Sequence, residues 1–199
     1  HFFANVSHEL RTPLTLILGA VEQLIHDNNA LKEREQFRLA AIQRNAKALY
    51  QQVNNLLDLA RVDAHRMPMA YVHANILAIV NDVASSFISA AEDRQIQFSI
   101  RGDESLTMDI DRAKFNRILS NLLSNAFKFT PTGGRISCTV EKLSSQRLLL
   151  SVQDNGVGVP DSMKQPIFDR FTQGSEELGT SGSGLGLNIV KEFVDLHRG

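Results

Sequence analysis

The chain has 199 residues, enough for one substantial domain or for a small module joined to a medium one. Hydrophobic residues make up 43% and charged residues 22%, an ordinary globular composition that excludes a disordered chain. The 21 Lys+Arg and 22 Asp+Glu leave a formal net charge of -1, so no basic excess points to nucleic acid or an anionic membrane as partner. No apolar run approaches the ~20 residues of a membrane span, and no membrane contact is expected from this stretch. The sequence opens on His1 rather than Met and is read as an excised fragment, expected to be cytoplasmic, whose parent can carry a membrane anchor elsewhere. The one cysteine, Cys138, excludes an internal disulfide framework and an all-cysteine metal site.

The first third of the chain predicts two helices. Phe3, Leu10, Leu14, Ile17, Val21 and Leu24 mark the seam of the first; Leu39, Ile42, Ala46, Leu49, Val53, Leu56 and Ala60 mark the second. Asp27-Asn28-Asn29 offers the turn of a helical hairpin. A lone hairpin has little to bury its apolar stripe against, so residues 1–66 are expected to dimerise as a four-helix bundle. A break follows at Ala64–Met69, where Pro68 interrupts helix, and residues 67–199 change to mixed α and β. Asn75–Arg94 reads as a helix, Ile96–Ile100 and Leu106–Asp109 as short strands, and Asp111–Phe129 as a strongly amphipathic helix. Arg135–Leu143 and Arg147–Asp154 read as an antiparallel pair. A Gly/Ser-rich stretch, Asn155–Gly186, leads to a final helix from about Leu187 to His197. A loop of that length in a compact domain carries function or moves.

Three clusters carry chemistry. In His8-Glu9-Leu10-Arg11-Thr12-Pro13, seam positions at Leu10 and Leu14 turn His8 and Thr12 outward, one turn apart on one face. A neutral imidazole is a good nucleophile, and Glu9 stands ready to orient the ring or take its proton. His26, His65, His73 and His197 are read as inert. On the Asp111–Phe129 helix, Phe115, Ile118, Leu119, Leu122 and Ala126 form the buried stripe, while Arg117, Asn121, Asn125 and Lys128 recur along another. Amides one turn apart suit Mg²⁺ or its waters, and a lysine one turn on suits phosphate; the same stripe also reads as a solvated face. The third cluster is glycine punctuation. Asp154-Asn155-Gly156-Val157-Gly158 ends a strand whose leucine face Asp154 continues, expected to be partly enclosed. A carboxylate there accepts from the exocyclic amine of adenine. Gly179, Gly182, Gly184 and Gly186 run into the last helix, where free N–H groups meet phosphate. The spacing is neither a P-loop nor a dinucleotide fingerprint.

In order and spacing these clusters resemble the sensor histidine kinases across essentially the whole chain. Phe2–Ile17 resembles their H-box, Asn121–Thr130 the N-box, Asp154–Pro160 the G1 box, Ile167–Phe171 the F-box and Gly182–Val190 the G2 box. The resemblance implies a dimerisation and phosphoacceptor hairpin (1–66), then a Bergerat-type ATP-binding α/β sandwich (67–199), similar to that of gyrase and Hsp90. The sandwich is expected to lack its last strands, the natural chain continuing past Gly199. By resemblance His8 is the phosphoacceptor, Glu9 assists transfer, and Thr12 places water for dephosphorylating a partner. Asn125 is the Mg²⁺ ligand, Asn121 its neighbour, and Lys128 a phosphate contact. Asp154 reads adenine with Gly156 and Gly158 in support. Phe168 and Phe171 are hydrophobic anchors of a lid that hinges at Gly182, Gly184 and Gly186. Gln173 stands where many relatives have an arginine, and Phe129 where a tyrosine is frequent.

The implied reaction is ATP- and Mg²⁺-dependent autophosphorylation of His8, then phosphotransfer to an aspartate of a response-regulator receiver domain, with phosphatase activity expected through Thr12. Two rival readings stand beside it. A gyrase- or Hsp90-type ATPase clamp predicts hydrolysis without phosphohistidine and leaves His8-Glu9 unexplained. A catalytically degenerate docking module predicts no nucleotide affinity.

Overall fold

The computed structural model describes residues 14–15, 17–19, 21–22, 33–64, 66–172 and 184–199. His8, Glu9, Thr12, the Asp27–Asn29 turn, His26, His65, Gln173, Gly179 and Gly182 lie outside the described residues. The chain forms two compact units, His1–Met67 and Pro68–Gly199.

In the first unit, residues 14–15, 17–19 and 21–22 are helical, and α1 runs over Glu33–Asp63. Leu14 and Val21, seven residues apart, are buried, as is Ala46 on α1. Glu22 ties the two helical stretches together: it accepts from Gln43 Nε2 at 3.2 Å and pairs with Lys47 Nζ at 3.4 Å. Three of the seven expected α1 seam residues are not covered within the chain. Ile42, Leu49 and Leu56, one heptad apart, are all about half exposed.

The second unit contains β1 (Tyr71–Asn75), α2 (Ile76–Ser85), α3 (Ile88–Asp93), β2 (Gln97–Gly102), β3 (Thr107–Asp111), α4 (Arg112–Phe129), β4 (Arg135–Lys142), β5 (Leu148–Asp154) and α5 (Gly186–Leu196). Short 3₁₀ turns at Asp161–Met163 and Pro166–Phe168 precede α5. One sheet pairs β1 with β3 antiparallel, from Tyr71 opposite Asp111 to Asn75 opposite Thr107. The other has the order β2-β4-β5, with β2 parallel and β5 antiparallel to β4. Parallel pairing of β2 with β4 requires a crossover, which β3 and α4 supply.

The expected helix over Asn75–Arg94 is two helices. Asn75 caps the first by accepting from Ala78 N–H at 2.8 Å. It ends where Ser85 and Ser86 donate their hydroxyls back to the carbonyls of Asp82 and Val83, at 2.7 and 2.8 Å. Such local bonds compete with helix continuation. Strand β1 was not expected at all, because Tyr71, Val72 and His73 are exposed and show no alternation. In β4, by contrast, Ile136, Cys138 and Val140 are buried at period two.

The core lies between α2, α4 and the faces of β2, β4 and β5, with Ile76, Val80, Leu119, Leu123 and Cys138 fully enclosed. On α4 the buried residues are Phe115, Ile118, Leu119, Leu123, Ala126 and Phe127, so Leu123 takes the place expected of Leu122. Burial pushes the Cys138 thiol up to about 11, as expected of an inert core cysteine. The final helix, α5, covers α4. Its buried residues, Ile189, Val190 and Phe193 among them, pack against α4 rather than on a sheet, with the Arg117 guanidinium 5.7 Å from the Phe193 ring centre. His197 is a structural tie: Nδ1 donates to Phe193 O at 2.6 Å and Nε2 accepts from Asp111 N–H at 3.3 Å.

Candidate functional site

The site is organised around the C-terminal half of α4. A helix end leaves carbonyls without partners, and here Arg94 supplies them. Its two terminal nitrogens donate to Phe127 O and Thr130 O, across the turn that ends the helix. The Arg94 carbonyl accepts from Gly133 N–H at 2.9 Å, which fixes the same turn a second time. Beyond it, Arg135 N–H donates to Asn155 Oδ1 at 2.7 Å, and Asn155 N–H donates to Arg135 O at 3.2 Å. The residue after Asp154 is thereby bound beside the helix terminus.

Gly156 completes this junction. A Cβ there would overlap the carbonyl of Phe129 and stand 2.9 Å from Asp154 Oδ1, so no side chain fits. Gly156 N–H donates to Asp154 Oδ1 at 2.8 Å, which orients the carboxylate. Asp154 itself is exposed rather than partly enclosed, because β5 is an outer strand and the chain turns away immediately after it. Gly158 holds a left-handed φ of +72° in open space.

Along α4, Asn121, Asn125 and Lys128 are each half-buried. Asn121 Nδ2 donates to Arg117 O at 2.8 Å, leaving its Oδ1 toward α5: a Cβ on Gly186 would lie 3.0 Å from that oxygen. Desolvation by burial lowers the Lys128 ammonium below its ordinary value, and its Nζ lies 4.8 Å from the Phe129 ring centre. Gly184 has φ +66° and touches Phe171, whose N–H donates to Gly184 O at 3.0 Å. Asn188, 6% exposed, donates from Nδ2 to Phe168 O at 2.9 Å. The expected Asn121–Thr130 and Asp154–Pro160 motifs meet at Phe129 and Gly156, and the described part of the expected Gly182–Val190 motif meets Asn121 at Gly186, Phe171 at Gly184 and Phe168 at Asn188.

Of the described candidates, Phe171 departs from expectation. Its backbone is left-handed, φ 62°, and the residue is 65% exposed where an anchor is expected to be enclosed; Phe168 is half-buried. Arg94 and Asn188 were missed. Arg94 carried no signal, since its partners lie 33 and 36 residues away. Asn188 did carry one: a short amide inside the apolar run Leu185–Val190.

Among the described residues no group of three or more His, Cys, Asp or Glu gathers as a metal cage. The donor set around Asn121 and Asn125 is amide oxygen. That fits Mg²⁺, which keeps several waters and binds through one or two protein ligands plus substrate phosphates. The close approaches at Gly156 and Gly186 bring the β5 end and the start of α5 against α4.

Family models match both ends of the chain. Residues 1–65 match the His Kinase A (phospho-acceptor) domain, and residues 110–199 match the histidine kinase-, DNA gyrase B- and HSP90-like ATPase. The chain is 43% identical over its full length to the sensor histidine kinase TmoS of Ectopseudomonas mendocina, covering 21% of that protein. It is 45% identical to the hybrid signal transduction histidine kinase D of Dictyostelium discoideum, covering 13% of it. It thus spans about a fifth or less of these curated relatives. Among solved structures, full-length ShkA in complex with AMPPNP superposes with a TM-score of 0.77 at 29% identity, over 97% of this chain and 40% of that one. Among the described residues no helix is long and apolar enough to cross a membrane.

Proposed function

The chain belongs to the histidine kinases, as their phosphoacceptor and ATPase core, and on that premise we propose that it autophosphorylates His8 from ATP. Residues 1–66 form the dimerisation and phosphotransfer hairpin, and residues 67–199 the ATP-binding domain. The observation that carries this reading is the junction at the end of α4, where Gly156 abuts Phe129 and Gly186 abuts Asn121. It supports adenine recognition by the Asp154 carboxylate at one end of the site and phosphate contacts from Lys128 and the α5 N-terminus toward the other.

Asp154 accepts a hydrogen bond from the exocyclic amine of adenine, and Gly156 and Gly158 keep that approach clear. Asn125 would hold Mg²⁺ with Asn121 beside it, and the bound ion would supply neutralisation of the phosphate charge. Lys128 and the backbone from Gly184 to Gly186 contact the phosphates, and Phe168 serves as a hydrophobic anchor of the lid. A lone pair of the His8 imidazole attacks the γ-phosphorus in line, the bond to the ADP oxygen breaks, and Glu9 takes the proton from the other ring nitrogen. Positioning dominates such a step, since little covalent work falls on the ATP-binding domain.

The phosphoryl group then passes to an aspartate of a response-regulator receiver domain docked on the hairpin, and Thr12 places the water that later hydrolyses the aspartyl phosphate to inorganic phosphate. The protein acts in the cytoplasm as a homodimer whose second copy covers Ile42, Leu49 and Leu56. Incubation with γ-labelled ATP and Mg²⁺ tests the central claim. Label should survive alkali, be lost in acid, and be absent from His8→Gln while nucleotide binding persists. Label retained by that variant refutes the assignment.

A further inference from the structure

Asp111 does more than begin α4. It is 2% exposed and closes β3, and its Oδ1 accepts from Lys114 N–H at 3.1 Å as an ordinary helix cap. Its Oδ2 accepts twice more, from Ala70 N–H at 2.9 Å and from Lys114 Nζ at 2.6 Å. The same ammonium, on a side chain 11% exposed, donates to Pro68 O at 2.8 Å. Capping a helix requires only the first of these bonds. Two of the others reach past β1 to Pro68 and Ala70, which belong to no helix or strand and lie at the start of the second unit.

Just before them, the chain is still held by the first unit. Arg66 N–H donates to Arg61 O at 2.9 Å, and Ala64 N–H to Ala60 O at 3.2 Å, past the end of α1. Only Met67 therefore separates the last residue bonded to α1 from the first bonded to the Asp111–Lys114 pair. Met67 also precedes a proline, which disfavours its helical region and biases it toward extended backbone. A buried ion pair is a costly way to hold a surface strand unless its geometry is required.

We propose that Asp111 and Lys114 are positioning residues for phosphoryl transfer to His8: by holding Pro68 and Ala70 they confine the articulation between the two units to Met67. The proposal rests on the kinase reading, because its consequence is the rate at which nucleotide and His8 meet. With the latch intact, the second unit swings about one restricted residue. With the latch open, the free segment lengthens to Met67–Ala70, and productive alignments become a smaller share of a wider ensemble.

The test compares the whole chain with Asp111→Asn, Lys114→Met, Lys114→Arg and a Gly-Gly insertion between Met67 and Pro68. The insertion loosens the articulation while leaving the latch and both units intact, so it reports even if Asp111→Asn fails to fold. A non-hydrolysable ATP analogue should bind Asp111→Asn, Lys114→Met and the insertion variant within about twofold of the unaltered chain, since positioning acts on rate and not on ground-state affinity. Single-turnover labelling of His8 should slow by about 10- to 100-fold in the same three. Lys114→Arg, which keeps the charge, should restore most of the rate. Labelling of the insertion variant at the unaltered rate overturns the proposal, and so does an affinity that falls in step with rate in the substituted variants. Absence of acid-labile label from the unaltered chain refutes the kinase reading, and this inference with it.

Discussion

Gly156→Ala isolates the junction on which the nucleotide site depends. The added methyl would overlap the Phe129 carbonyl and stand 2.9 Å from Asp154 Oδ1. The helix end cannot retreat easily, because Arg94 binds Phe127 O and Thr130 O on the same turn. The turn that carries Asp154 must move instead, breaking the 2.8 Å bond from Gly156 N–H that orients its carboxylate. Forcing one methyl group into such packing costs about 1–3 kcal/mol. If that cost falls on the oriented carboxylate, ATP affinity drops by about 5- to 150-fold. Calorimetry with a non-hydrolysable analogue measures it directly. Because Gly156 acts through Asp154, adding Gly156→Ala to Asp154→Asn should cost little beyond Asp154→Asn alone. Gly158→Ala is the control: its φ is +72° with nothing within 4 Å, so it should strain the backbone by about 1–2 kcal/mol without pressing on the helix. Unaltered affinity in Gly156→Ala, or losses that add fully in the double variant, would refute the reasoning.

Asp154→Asn alone presents an amide where a pure acceptor is needed, and calorimetry should find ATP weakened by about 1.5–3 kcal/mol; Asn125→Ala should blunt the Mg²⁺ dependence of binding in the same assay. Replacing Leu49 and Leu56 by Glu, two residues that are half exposed in the single chain, should give monomers by light scattering that still bind ATP. The Asp111 carboxyl yields a pH signature. Burial alone would raise it, but bonds from Ala70 and Lys114 outweigh that and hold it below its ordinary 3.8. The unfolded chain therefore binds this proton more tightly, so the group's stabilisation is complete above about pH 3.8 and is lost as pH falls through the lower folded value. Chemical denaturation should show Asp111→Asn less stable at neutral pH, with the gap closing below that point; a gap independent of pH would mean the charge contributes nothing.

Sequence pattern revealed most where the physics is local. The α4 helix was legible because its apolar stripe recurs at helical spacing and Asp111 supplies a cap at the right place. Strands β4 and β5 were legible because alternate residues, Ile136, Cys138 and Val140 in β4 and Leu148, Leu150 and Val152 in β5, turn to the core. Strand β1 was invisible for the opposite reason: its exposed residues Tyr71, Val72 and His73 leave no apolar alternation, and backbone pairing with β3 holds it. The split between α2 and α3 escaped notice because no glycine or proline marks it; two serine hydroxyls turned back on the preceding carbonyls do so instead.

The same division runs through the site. Residues proposed to touch nucleotide or metal announce themselves, since chemistry demands a carboxylate, an amide or a glycine at fixed spacing. Residues that hold those groups in place do not. Arg94 reaches the end of α4 across more than thirty residues of sequence, and Asp111 reaches Ala70 across 41. Neither belongs to a recurring pattern, because what fixes them is three-dimensional: one satisfies carbonyls that a helix end leaves open, the other neutralises a buried ammonium beside the unit boundary. Phe171 shows the converse error. An aromatic at a motif position was read as an anchor, yet a left-handed backbone tied to Gly184 leaves the residue exposed. Residue type fixes what a group can do chemically, but only backbone conformation fixes the direction in which it does it.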